Sequence, residues 1–140
     1  MFEDLEVHER SLDDRESALL ARADALKSSI DVAALRALAD DWDALANDRD
    51  QIADDWDKAA VDRDNHSWDR DVAALERDRL AGDESPTRME RIWANRDRDA
   101  AHGDRVDARE DRERSSAARA AAASDRARAR AARISPRERS

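Results

Sequence analysis

Residues 41–82 read DWDALAN DRDQIAD DWDKAAV DRDNHSW DRDVAAL ERDRLAG, six consecutive units of seven. Beyond a disturbed DESPTRM the phase is kept through ERIWANR, DRDAAHG, DRVDARE, DRERSSA, ARAAAAS and DRARARA. The first position is acidic in eleven successive units, from Asp41 to Asp111. The second is Trp42, Arg49, Trp56, Arg63, Arg70 and Arg77, then Glu84, then Arg from Arg91 through Arg133. A seven-residue period marks a helix that presents a fixed seam to a partner helix. On such a helix the second, fifth and sixth positions lie side by side. The fifth-position side of this stripe reads Leu45, Ile52, Ala59, Ala73, Leu80, and the sixth-position side Ala46, Ala53, Ala60, Ala74, Ala81, with the Trp/Arg column between them. Asp columns at the first and third positions flank the stripe on its two edges.

Charge spacing sharpens the reading. Opposite charges stabilise a lone helix when they sit three or four residues apart. Here each Arg is adjacent to its own two Asp and six and eight residues from those of the next unit. The pattern suits an Arg that reaches across to Asp on a neighbouring helix, its alkyl stem lying over Ala.

Composition sets the outer bounds. Of 140 residues, 44% are charged, while Leu, Ile, Val and Phe together number 20. So few large apolar side chains in a strongly charged chain would ordinarily leave it disordered. Phase-locking of the charged residues is what argues for helices instead. Only 2 Gly and 2 Pro are present, which excludes a loop-rich enzyme scaffold, and the absence of Cys excludes disulfides, thiolate metal sites and thiol catalysis. The net charge of −9 is unevenly spread: residues 114–140 carry 8 Arg against Asp125 and Glu138, and everything before them is acidic. No stretch is apolar enough for a membrane span or a signal segment, so a cytoplasmic location and no membrane insertion are expected.

The N-terminal segment, 1–27, has its own heptad in Leu5, Leu12, Leu19 and Leu26. Its register differs from the later one, so a turn or a stutter must fall between about 27 and 41, and Ser28 and Asp31 have capping-box spacing. Residues 28–81 form the long heptad helix. A turn is expected at 82–86, with Gly82 ending one helix, Ser85 as N-cap and Pro86 opening the next. Residues 87–113 return or continue. If the chain doubles back, Leu75, Leu80, Met89 and Trp93 should gather in a small apolar cluster. The Ala- and Arg-rich tail, 114–140, reads as a fraying helix with nothing to bury.

The Asp-x-Asp triplets Asp48/Asp50, Asp62/Asp64 and Asp69/Asp71 resemble metal motifs, but alternate carboxylates on a helix diverge and do not chelate one ion. His8, His66 and His102 have no ligand partners three or four residues on, and His66, at a seam position, reads as a packed histidine. Trp42, Trp56, Trp68 and Trp93 suit packing or cation–π contact across helices. Neither a catalytic arrangement nor a phosphate loop is legible, so no enzyme activity, cofactor, metal or small-molecule substrate is expected. The residues assigned to the helix seam or to partner contacts are Leu5, Leu12, Leu19, Leu26, Trp42, Leu45, Arg49, Ile52, Trp56, Arg63, Arg70, Leu75, Leu80 and Trp93. A polyanion such as nucleic acid would meet only the tail, at Arg114, Arg119, Arg126, Arg128, Arg130 and Arg133.

The units DRDQIAD, DRDVAAL, ERDRLAG and DRDAAHG resemble Asp/Arg/Ala heptad-repeat coiled-coil segments of signalling and uncharacterised proteins of high-GC bacteria. The resemblance covers about residues 41–133 and implies a helical connector or oligomerisation element without activity. The expectation is therefore an all-α chain of long helices in coiled-coil or helical-hairpin arrangement, with no compact globular core. Its role would be oligomerisation or scaffolding through a homo-oligomer or protein partner helices. The alternative is a regulatory binding protein whose Arg-rich tail engages nucleic acid or another polyanion.

Overall fold

Short polar side chains decide where the helices begin. Asp31 Oδ1 accepts a hydrogen bond from the Ala34 amide at 3.1 Å, which is N-cap geometry, and Ser29 Oγ accepts one from the Asp31 amide. Farther on, the Thr87 hydroxyl accepts from the Glu90 amide while the Glu90 carboxylate accepts from the Thr87 amide, a closed capping box. The computed structural model, which describes residues 2–80 and 87–134, shows three helices: α1 Phe2–Ala25, α2 Val32–Leu80 and α3 Arg88–Arg133. Among the described residues there is no strand, so the protein is all-α. The change of register between the two heptads is a turn: Leu26 follows α1, its amide donating to the Arg22 and Ala23 carbonyls. The N-cap of α3 is Thr87, two residues beyond the expected Ser85, and the expected turn at 82–86 lies outside the described residues.

Two compact units divide the chain, residues 1–55 with 114–140, and residues 56–113. In the first unit, the ion pairs Arg15–Asp48 and Arg22–Asp41 run α1 antiparallel to α2. Arg126–Asp50 and Arg133–Asp43 run α3 antiparallel to α2 as well, and Arg114–Glu6 and Arg128–Glu16 run α1 parallel to α3. The interior takes Leu5, Leu12 and Leu19 from α1 and Leu35, Leu38, Trp42, Leu45 and Ile52 from α2. From α3 it takes Ala118, Ala122, Ala129 and Ala132. Each buried Leu or Ile contributes about 1.5–3 kcal/mol, so α1 and α2 supply most of the apolar stabilisation. Residues 114–133, expected to be a helix with nothing to bury, are the third helix here and bury Ala118, Ala122, Ala129 and Ala132. Their Ala side chains are short, and the apolar surface they need comes from the other two helices.

In the second unit, α2 from Trp56 onward and α3 up to Glu113 pair antiparallel, as Arg63–Asp111, Arg70–Asp104 and Arg77–Asp97 show. Its buried residues besides Trp56 are Asp111 and small side chains: Ala59, Ala60, Ser67, Ala74, Ala94, Ala101 and Ala108. The expected apolar cluster does not form, since Leu75, Leu80, Met89 and Trp93 are all exposed. Leu75 occupies the seventh heptad position, on the far side of α2 from the seam, and the antiparallel register fills the seam with Ala. His66, expected to be packed, is also exposed.

Candidate functional site

The chemistry of the chain is concentrated in an Arg–Asp ladder, and its rungs obey a positional rule. In the second unit, the second-position arginines of α2, Arg63, Arg70 and Arg77, pair with the first-position aspartates of α3, Asp111, Asp104 and Asp97. The second-position arginines of α3, Arg98, Arg105 and Arg112, pair with the third-position aspartates of α2, Asp78, Asp71 and Asp64. Each step of seven down one helix is met by a step of seven up the other. The first unit follows the same rule: Arg49 takes Asp125, while Arg126 and Arg133 take Asp50 and Asp43. There the first-position aspartates of α2 serve α1 instead, Asp41 receiving Arg22 and Asp48 receiving Arg15, each at 2.5 Å. Asp48 and Asp50 of one Asp-x-Asp triplet thus bind different helices, as expected for carboxylates that diverge. Among the described residues no set of three His, Asp or Glu converges on a metal position.

Most rungs are exposed and individually worth about 0–1 kcal/mol. Arg63–Asp111 is largely buried, and Arg49, 6% exposed, is the most buried arginine of the described rungs. Its Nε donates to Asp125 Oδ2 at 2.8 Å and one terminal nitrogen donates to Glu16 Oε2 at 2.5 Å, with Asp13 at 3.4 Å. Arg128 donates to Glu16 at 3.0 Å and to Asp125 Oδ1 at 3.2 Å, and its guanidinium lies 4.9 Å over the Trp42 ring. The network is buried at Arg49 and Asp125 and half-buried at Glu16 and Arg128, charge-paired throughout and closed by a cation–π contact. Burial pushes the Asp125 carboxyl above its ordinary range; Arg49 opposes this most strongly, the Glu16 charge adds to it, and Arg128 opposes it in turn. Arg133 is held above its ordinary value by hydrogen bonds to Asp43 and Asp40.

The rule also explains where tryptophan replaces arginine. One heptad from the Arg49–Asp125 rung, the corresponding positions are Trp42 and Ala132. Both are buried and both line a cavity of about 210 Å³ with Leu35, Leu38 and Arg128. Where α3 carries Asp, α2 carries Arg; where α3 carries Ala, α2 carries Trp.

Of the residues assigned to the seam, Leu5, Leu12, Leu19, Trp42, Leu45, Arg49, Ile52 and Trp56 are buried, and Leu26 is half-buried just beyond α1. Arg63 is half-buried and Arg70 exposed, both in rungs, whereas Leu75, Leu80 and Trp93 are exposed. Of the six arginines assigned to polyanion binding, Arg114, Arg119, Arg126, Arg128 and Arg133 are already in ion pairs with α1 or α2. Arg130 is the one for which no ion pair is described. Asp125 and Ser115, both buried, went unrecognised in the sequence, although Asp125 keeps the phase of the first-position acids and so carried a readable signal. No helix among the described residues is long and apolar enough to cross a membrane. The sequence matches no family model, no curated protein and no solved structure.

Proposed function

We propose that this chain is a structural interaction protein without catalytic activity, a coiled-coil scaffold that holds helical surfaces in place for docking. The observation that carries this reading is the ladder, in which the second-position arginines of α2 and α3 and the aspartates that face them are spent on holding helices to one another at a seven-residue repeat. In this reading the first unit is a three-stranded bundle and the second a helical hairpin, both built on heptad seams. Sedimentation together with circular dichroism tests it. The expected result at neutral pH and moderate salt is a strongly helical species with a cooperative thermal transition. A mostly unfolded monomer overturns the reading.

The polyanion-binding alternative has less support, because five of its six arginines are engaged by carboxylates. A gel-shift titration separates the two. The scaffold reading expects no complex with duplex or single-stranded nucleic acid at physiological salt, and a shift abolished by deleting 114–140 would favour the alternative.

A further inference from the structure

Helix α2 carries a second apolar face, confined to the second unit. The point opposite its inward-facing Arg column falls between the fourth and seventh heptad positions. In the first unit these positions are polar or small: Ala44, Asn47, Gln51 and Asp54. In the second they include Val61, Trp68, Val72 and Leu75, which are 52%, 70%, 45% and 67% exposed. Their spacing is itself a heptad frame, with Val61, Trp68 and Leu75 seven apart and Asn65 and Val72 in the companion column. One tryptophan and three aliphatics in phase on a solvent-facing helix make a contiguous patch, unlike scattered surface apolar residues.

The charges beside this face decide what fits it. On one flank lie Asp62, Asp69 and Glu76, exposed and with no ion pair among the described residues. On the other lie Asp64, Asp71 and Asp78, already holding arginines of α3. In coiled-coil terms both flanking columns of the outer frame are acidic. A second copy of the same face would set acid against acid in either orientation, and an anionic membrane surface would be repelled. A helix with basic flanks would instead meet three unpaired carboxylates.

We infer that the outer face of α2 over residues 61–76 is a docking site for an amphipathic helix of another protein that carries apolar residues at heptad spacing between Lys or Arg flanks. The inference rests on the scaffold reading and names the partner class it serves. Asn65, a polar residue in the companion column, sets the register of the incoming helix.

The test titrates the full chain with two labelled three-heptad peptides, both with Leu in the core columns, one flanked by Lys and one by Glu, and reads fluorescence anisotropy. The Lys-flanked peptide is expected to bind at least about tenfold more tightly than the Glu-flanked one, and more weakly as salt is raised. W68S/L75S should lose about tenfold or more in affinity. D62K/D69K/E76K alters only exposed side chains and should invert the peptide preference. Circular dichroism of the native chain and of each variant reads the fold independently: W68S/L75S that keeps its helicity and loses peptide binding supports the docking site, whereas a native chain that is helical and binds neither peptide overturns the docking site and leaves the scaffold reading standing. Equal binding of both peptides, undiminished binding by W68S/L75S, or a dimer of the chain itself that W68S/L75S abolishes would overturn the proposal.

Discussion

At the scale of single residues, Arg49 and Asp125 show the trade between charge and shape most directly. Removing one member of a buried pair strands the other, and R49W or D125A alone is expected to destabilise the chain by about 3–5 kcal/mol in urea unfolding. The double variant R49W/D125A copies the Trp42–Ala132 combination one heptad away and should recover most of that loss. No recovery would mean that the Arg/Asp and Trp/Ala combinations are not interchangeable. Protonation gives a second handle. Burial raises the Asp125 carboxyl above its ordinary value, so between those two values the folded state binds more protons than the unfolded one. Stability from this group is fully present below the ordinary value and declines as pH rises through the raised one. The difference in unfolding free energy between the native chain and D125N should therefore fall as pH rises from about 4. A rising difference would show that Arg49 and Arg128 outweigh desolvation.

At the scale of elements, the helix starts rest on few atoms. D31A removes the cap of α2 and T87A opens the capping box of α3, each expected to cost about 0.5–2 kcal/mol by thermal or chemical denaturation. T87A should act in the second unit only, which local hydrogen exchange can read. The elements were also the most legible feature in advance. The Leu heptad from Leu5 to Leu19 and the phase-locked Asp columns point to helices and to pairing between them. What was not legible is which column serves which neighbour. First and third positions both carry Asp, and only the placement of α1 assigns Asp41 and Asp48 to it and Asp43 and Asp50 to α3. The basic tail was misread for a related reason. Ala-rich residues 114–133 hold no large apolar group before Ile134, so their burial depends on Leu and Trp contributed from far away in the chain. A local pattern does not reveal a core whose bulk is non-local. Leu75 and Trp93, assigned to seam or partner contacts, are exposed, and heptad position puts Leu75 on the far side of α2 from the seam.

At the scale of the whole molecule, apolar side chains are unequally shared. The first unit buries Leu, Ile and Trp from α1 and α2, while the interior of the second is mostly Ala and Ser below Trp56. Amides of residues 35–52 should accordingly exchange far more slowly than those of 63–77 and 94–108, and the reverse order would show that the ladder outweighs apolar burial. The ladder has a further consequence for how such a chain can change over generations. Because the rungs from Arg63–Asp111 to Arg77–Asp97 and from Arg112–Asp64 to Arg98–Asp78 repeat after seven residues in both directions, one extra heptad in α2 between Asp62 and Glu76, matched by one in α3 between Asp97 and Asp111, reproduces their charge matches. An unmatched insertion slides the two strands by a full step and strands a rung. The molecule can therefore be lengthened or shortened only in paired increments, each adding about 10 Å of helix, like a ruler whose two edges must be recut together.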